Sequence, residues 1–100
     1  MTITKTANGK DVQLVLSGRL DTITSVQLSE ELDKIFQSGD FNIELDFNDV
    51  DYISSAGLRI IINTQKKVGA IETKLVLTRV HGNVKEVLDM TGFSNILNII

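Results

Sequence analysis

The feature that most constrains this sequence is an alternation between two hydrophobic periods. Val12, Leu14 and Leu16 recur at every second residue, which is the pattern of a half-buried β-strand. Leu28, Leu32 and the apolar residues after them recur at three- and four-residue intervals, as on one face of an α-helix. Both periods return further along the chain. Because a crossover helix usually joins parallel strands, the alternation predicts an α/β fold with a mixed, mainly parallel β-sheet and helices packed on it.

Capping and turn residues set the expected bounds of the elements. Thr24 with Gln27 three residues later is typical of a capping box that starts a helix, and Asn48-Asp49 is typical of a polar turn. The expected order is a strand at 2–5, a strand at 12–17 ending at Gly18, a helix from Thr24 to Gly39, a strand at 42–47, a helix from near Ala56 to before Gly69, a strand at 75–77, a helix around 84–88 closed by Thr91-Gly92, and a final strand at 96–100.

Length and charge limit the classes of protein this chain can belong to. With 100 residues, 42% of them hydrophobic, residues 1–100 are expected to form a single domain around one core. The net charge of −3 is spread along the chain, which indicates neither a nucleic-acid surface nor a polybasic membrane anchor. Without cysteine, a signal-peptide pattern or an apolar run longer than Ile60-Ile61-Ile62, the sequence predicts a cytoplasmic protein with no membrane insertion.

The composition also disfavours catalysis. One histidine and no cysteine leave few side chains for acid–base or nucleophilic chemistry near neutral pH. His81 has no second histidine at ligand spacing and precedes Gly82 at an expected strand-to-helix junction, so it is expected to be a loop or capping residue. We therefore predict a protein that is not an enzyme and that binds no metal and no other cofactor.

Two strand-to-helix turns are the candidate functional sites. Binding sites in open α/β sheets gather at the carboxyl ends of strands. The turns at 18–22 and at 54–57 both lie at such ends, and they become neighbours if their two strands are parallel and adjacent. We expect them to share one surface.

The second of these turns carries two adjacent hydroxyl groups. One of Ser54 and Ser55 is expected to cap the following helix while the other faces solvent. A phosphate there would meet the positive end of the helix dipole and would be tolerated by the fold. The residues alone also permit a plainer interpretation, in which the serines only cap the helix and Asp21 only caps its own turn.

Three segments of the chain stand out in a fixed order. They are Leu16-Ser17-Gly18-Arg19-Leu20-Asp21, then Leu45-Asp46-Phe47 with Val50-Asp51-Tyr52-Ile53-Ser54-Ser55-Ala56-Gly57-Leu58, and finally Val84-Lys85-Glu86-Val87-Leu88-Asp89-Met90-Thr91-Gly92-Phe93. Together they resemble the STAS domain of bacterial anti-sigma-factor antagonists, and the resemblance covers essentially the whole chain.

The resemblance implies roles for the residues of both turns. The phosphorylated serine of the family lies two positions before the glycine of an Asp-Ser-Ser/Thr-Gly-Leu motif, which corresponds to Ser55. Ser54 stands where many of these antagonists carry aspartate, and it is the alternative position for the phosphate. The partner-binding residues implied around Ser55 are Asp21, Thr22, Ser54, Ala56, Gly57 and Leu58.

The resemblance also implies a partner switch. The unphosphorylated form would bind an anti-sigma factor that has serine kinase activity and so free the sigma factor. Phosphorylation of Ser55 would block binding, and a serine phosphatase would reset the protein. The alternative is a STAS module that acts as a constitutive scaffold or accessory subunit of a transport or signalling complex, in which the serines only cap the helix.

Overall fold

The computed structural model describes residues 1–100 as five strands, three α-helices and one short 3-10 helix. In chain order they are β1 (Thr2–Asn8), β2 (Asp11–Leu20), α1 (Thr22–Ser38), β3 (Asn42–Ile53), α2 (Ser55–Ala70), β4 (Leu75–Thr78), α3 (Gly82–Met90), the 3-10 helix (Phe93–Asn95) and β5 (Asn98–Ile99). The order of strands and α-helices agrees with the sequence prediction. None of the helices is long and apolar enough to cross a membrane.

The strands lie in the sheet in the same order as in the chain, from β1 to β5. β1 is antiparallel to β2, and the pairs β2–β3, β3–β4 and β4–β5 are parallel. All three crossovers move in one direction across the sheet, so right-handed connections place α1, α2 and α3 on the same face. The predicted α/β class with a mainly parallel sheet is confirmed.

One core fills the space between the sheet and the helices. Leu14, Leu45 and Leu77 are paired in register across β2, β3 and β4, and all three are fully buried. Phe47 is the largest of the fully buried side chains. The helices contribute Leu28, Leu32, Ile35, Leu58, Ile61, Val68, Val84 and Leu88 to this same cluster. The period-two and helical stripes of the sequence therefore meet in one hydrophobic layer.

The prediction that Gly18 ends β2 and that Asn48-Asp49 forms a turn is wrong. β2 continues to Leu20 and β3 to Ile53, with Asp49 paired to Ser17 inside the ladder. The register of pairing shifts between Val15 and Ser17 and again between Gly18 and Arg19. These bulges let the two strands stay paired although buried and exposed side chains no longer alternate strictly. Parallel pairing along the whole length of β2 thus overrides the turn preference of the two polar residues.

The predicted starts of both long helices also need correction. α1 begins at Thr22, two residues before the predicted Thr24, and its N-cap is Asp21. α2 begins at Ser55 rather than near Ala56, with Ser54 as its N-cap, and it ends at Ala70, one residue beyond Gly69. Each helix therefore starts directly after its preceding strand, with a single capping residue between them.

Candidate functional site

The two predicted turns meet at the carboxyl ends of β2 and β3. Leu20 and Ile53 are paired at the end of the parallel ladder, and the Ser54 backbone N–H donates to the Leu20 carbonyl at 2.9 Å. This hydrogen bond joins the two turns directly. The expectation that they are neighbours on one edge of the domain is confirmed, and the helices α1 and α2 both start from this edge.

Ser54 and Ser55 have different environments. The Ser54 backbone is extended, and its Oγ accepts a hydrogen bond from the Gly57 backbone N–H at 3.2 Å. Ser54 is half-buried and serves as the N-cap of α2. Ser55 is the first residue of the helix, it is exposed, and its hydroxyl makes no side-chain hydrogen bond within the chain. Of the two hydroxyls, the Ser55 hydroxyl is therefore the one open to chemistry from outside.

Asp21 closes the start of α1 with a reciprocal capping box. Its Oδ1 accepts hydrogen bonds from the backbone N–H groups of Ile23 at 3.0 Å and Thr24 at 2.9 Å. The Asp21 backbone N–H donates to the Thr24 hydroxyl at 2.8 Å. The hydrogen bonds from Thr24, then those from Ile23 and the charge of Arg19, hold the pKa of the Asp21 carboxyl below its ordinary value of 3.8. Asp21 is thus an ionised structural cap that also stands on the edge of the site.

The other predicted partner-binding residues divide into surface and core positions. Thr22 is exposed, and Ala56 is half-buried. Gly57 is buried, and Leu58 is 9% exposed and belongs to the hydrophobic core. A Cβ at Gly57 would lie 2.8 Å from Leu20 Cγ and 3.0 Å from Ile53 Cγ1. Gly57 therefore brings α2 close to the ends of β2 and β3, and it shapes the surface from beneath.

An exposed apolar pair at the start of α1 was not predicted from the sequence. Ile23 is 82% and Val26 57% exposed, both in the first turns of α1. Val26 lines a depression of about 280 Å³ between α1 and α2, together with Ala56 and Arg59. Large exposed apolar side chains beside polar ones are typical of protein-binding surfaces. The available signal was that both residues lie outside the buried stripe of α1 formed by Leu28, Leu32 and Ile35.

A stacked cation lies on the same edge of the sheet. Arg19 and Tyr52 are paired across β2 and β3, and the guanidinium carbon lies 4.0 Å from the centre of the Tyr52 ring. This is a favourable cation–π distance. The stack fixes Arg19 beside Asp21, whose carboxyl it influences electrostatically.

His81 lies between the carboxyl end of β4 and the start of α3, and it belongs to neither of the two turns. One of its ring nitrogens lies 2.7 Å from the Asn48 carbonyl oxygen, and the residue directly precedes α3. His81 gives α3 no side-chain cap, so its role is to tie the start of α3 to β3. No group of three or more histidine, aspartate or glutamate side chains is arranged to hold a metal ion.

Comparison with known proteins assigns the chain to a family. A family model described as the STAS domain matches residues 2–100. The chain belongs to the STAS domain family.

Relatives within the STAS family have regulatory names. The chain is 33% identical over 84 residues to BtrV of Bordetella bronchiseptica, described as a candidate anti-sigma factor antagonist, and the match covers 84% of this chain and 72% of BtrV. It is 24% identical over 99 residues to the anti-sigma-B factor antagonist of Staphylococcus aureus, covering 99% of this chain and 92% of that protein.

A solved STAS structure has the same fold. The Bacillus cell fate determinant SpoIIAA in its phosphorylated form superimposes with a TM-score of 0.78 at 17% identity, covering 99% of this chain and 91% of SpoIIAA. In this chain, the STAS motif segment that ends at Leu58 forms the last residues of β3, the Ser54 cap and the first turn of α2.

Proposed function

We propose that this protein is an anti-sigma-factor antagonist whose binding is switched off by phosphorylation of Ser55. The observation that carries the proposal is the difference between the environments of the two serine hydroxyls. Ser54 is occupied as the helix cap, whereas Ser55 presents a free hydroxyl at the edge where β2 and β3 end. The names of BtrV and of the staphylococcal relative support the antagonist role, and the solved phosphorylated form of SpoIIAA supports control by phosphate.

The unmodified surface suits a protein partner. Val26 offers apolar area in the depression that it lines with Ala56, the residue after Ser55, and Thr22 adds a polar group to the same depression. An apolar centre with a polar rim is the usual anatomy of a protein interface. The partner in this proposal is an anti-sigma factor with serine kinase activity, which buries the surface when Ser55 is unmodified.

Phosphorylation changes the charge of this surface without refolding the domain. A phosphoserine adds about −1.5 to −2 charges near neutral pH. One unit charge facing a like charge at about 4 Å costs roughly 4 kcal/mol at an effective dielectric constant of about 20. Half of that cost weakens binding by more than about tenfold. Because Ser55 is exposed at the amino end of α2, the phosphate also meets a favourable helix dipole, and the fold tolerates it.

This chain is the substrate of the switch and not its enzyme. STAS anti-sigma factor antagonists are regulatory binding proteins. The kinase is the anti-sigma factor itself, which transfers the phosphoryl group of ATP to Ser55 and is then released. A separate serine phosphatase removes the phosphate and restores the binding surface.

Capture of partners from the native host tests the proposal. Wild-type protein incubated with host extract and ATP is expected to acquire one phosphate, which peptide mass mapping places on Ser55. The Ser55→Ala variant is expected to capture the same partner and to remain unmodified. A phosphate on Ser54 would move the switch by one residue, and an unmodified protein in every host preparation would favour a constitutive scaffold instead.

A further inference from the structure

One cation lies a single helical turn beyond Ser55. Arg59 is four residues after Ser55 in α2, and residues at this spacing are neighbours on the helix surface. Arg59 is exposed and takes no part in the four ion pairs of the chain. Its guanidinium is therefore free to receive a new anionic partner.

The direction of the Arg59 side chain favours Ser55. Helical side chains lean toward the amino terminus of their helix, so a long side chain covers the turn before its own Cα. Arg59 accordingly lines the depression between α1 and α2 together with Ala56 and with Thr22 at the start of α1. This general preference directs a side chain at Arg59 toward the turn of α2 that contains Ser55.

Two other charged side chains near this position, Glu30 and Arg19, neither pair with Arg59 nor lie on its helix. Glu30 lines the same depression from α1, but it forms no ion pair with Arg59. Arg19 is held on the Tyr52 ring and lies beside Asp21. Among the basic side chains at this edge, Arg59 is the one on the same helix as Ser55 and without a partner of its own.

We propose that Arg59 is the intramolecular counter-ion of a phosphate on Ser55, an inference that rests on the function proposed above. A guanidinium offers a planar pair of N–H donors that fits two phosphate oxygens, and charge-assisted pairs of this kind are strong. Phosphorylation then has two effects on the partner surface. It adds negative charge at Ser55, and it pairs Arg59 with the phosphate, so that the guanidinium no longer offers its positive charge in the depression between α1 and α2. Arg59 is a positioning residue that holds the phosphate over the first turn of α2.

The second pKa of the phosphate reports this contact directly. Phosphoserine is installed at position 55 by genetic incorporation, and its ³¹P resonance is titrated in otherwise wild-type protein and in the Arg59→Gln, Arg59→Lys, Arg19→Gln and Lys66→Gln variants. A nearby cation favours the doubly charged phosphate and lowers this pKa. Arg59→Gln is expected to raise it by about 0.3 units, the size of an ordinary ion pair at this helical spacing.

The control variants make the result specific. Arg59→Lys is expected to keep most of the lowering, whereas Lys66→Gln, which removes an exposed charge further along α2, and Arg19→Gln are expected to change the pKa less than Arg59→Gln does. An unchanged pKa in Arg59→Gln, or an equal rise in Lys66→Gln or Arg19→Gln, overturns the inference. Since the phosphate is installed during synthesis, this result is independent of any host kinase. A failure of the proposed function appears instead as an unmodified Ser55 in the native host.

Discussion

At the scale of single residues, Ser54 and Ser55 have the same side chain and different environments. The Ser54 hydroxyl is used by the Gly57 backbone N–H, and the Ser55 hydroxyl is not used by the chain. A one-residue difference in position relative to the helix start produces this contrast. It allows the capping role of Ser54 and the proposed regulatory role of Ser55 to be measured separately.

Stability measurements on the two serines should differ. Ser54→Ala removes the cap of α2 and is expected to lower the free energy of unfolding by about 1 kcal/mol. Ser55→Ala removes an exposed hydroxyl and is expected to change it by less than about 0.5 kcal/mol. Urea denaturation of both variants checks this prediction. A larger loss in Ser55→Ala than in Ser54→Ala would mean that Ser55 is the cap.

Gly57 and Gly69 form a second matched pair, because both lie in α2. A methyl group at Gly57 would meet Leu20 Cγ at 2.8 Å, whereas one at Gly69 would meet nothing within 4 Å. Gly57→Ala is expected to cost about 1–3 kcal/mol of unfolding free energy through overpacking. Gly69→Ala is expected to gain about 0.4–1 kcal/mol, since alanine restricts the unfolded chain. Equal effects on the midpoint of denaturation would show that Gly57 does not set the approach of α2.

At the scale of elements, the hydrophobic periods predicted which segments form strands and helices, while the ends of those segments depended on capping hydrogen bonds and strand pairing that the periods do not show. The buried stripe of α1 was predicted from Leu28, Leu32 and Ile35. Its start was not, because Thr24 is the partner within the capping box rather than the cap. A local pattern contains both residues of the box and does not show which of them is the N-cap.

The candidate site was predicted to a similar extent. The motif of Ser55 and the adjacency of the two turns follow from sequence, because carboxyl ends of parallel neighbours meet at one edge. The full length of β3 did not follow, since pairing with β2 stabilises Asp49 in a strand. The exposure of Ile23 and Val26 was not predicted, although both lie outside the helical stripe of Leu28, Leu32 and Ile35, because the predicted helix began only at Thr24.

The Asp21 cap of α1 should make stability depend on pH in acid. The pKa of Asp21 is lower in the folded protein than its ordinary value of 3.8, chiefly through hydrogen bonds from Thr24. Its contribution is therefore complete above about pH 4 and is lost as the pH falls through the lowered pKa. Asp21→Asn keeps a good capping residue that does not titrate.

We expect wild type and Asp21→Asn to have similar stability near pH 7. As the pH falls below about 4, we expect the wild type to lose more stability than the variant. The pKa of Asp89 is also lowered, by Ser94 and Lys85, so both proteins retain a common acid-dependent part. Thermal denaturation across this pH range provides the comparison. Parallel curves would show that the Asp21 carboxylate does not contribute to the acid dependence.

At the scale of the whole molecule, the hydrophobic core and the proposed switch residue Ser55 lie in different parts of the fold. All three α-helices cover one face of the sheet and close one core, and Ser55 lies at the rim where two strands hand over to helices. A phosphate at this rim disturbs no buried side chain. We therefore predict that phosphorylation changes partner affinity while the fold and its stability stay nearly constant.

The most direct test is the affinity of the anti-sigma factor captured from the native host for two forms of this chain, unmodified and carrying phosphoserine at position 55. Isothermal titration calorimetry measures both, with circular dichroism as the control that the two forms fold alike. The prediction is that phosphorylation weakens binding by at least about tenfold, since even half of the charge repulsion of about 4 kcal/mol exceeds ~1.4 kcal/mol. Equal affinities of two equally folded forms would contradict it.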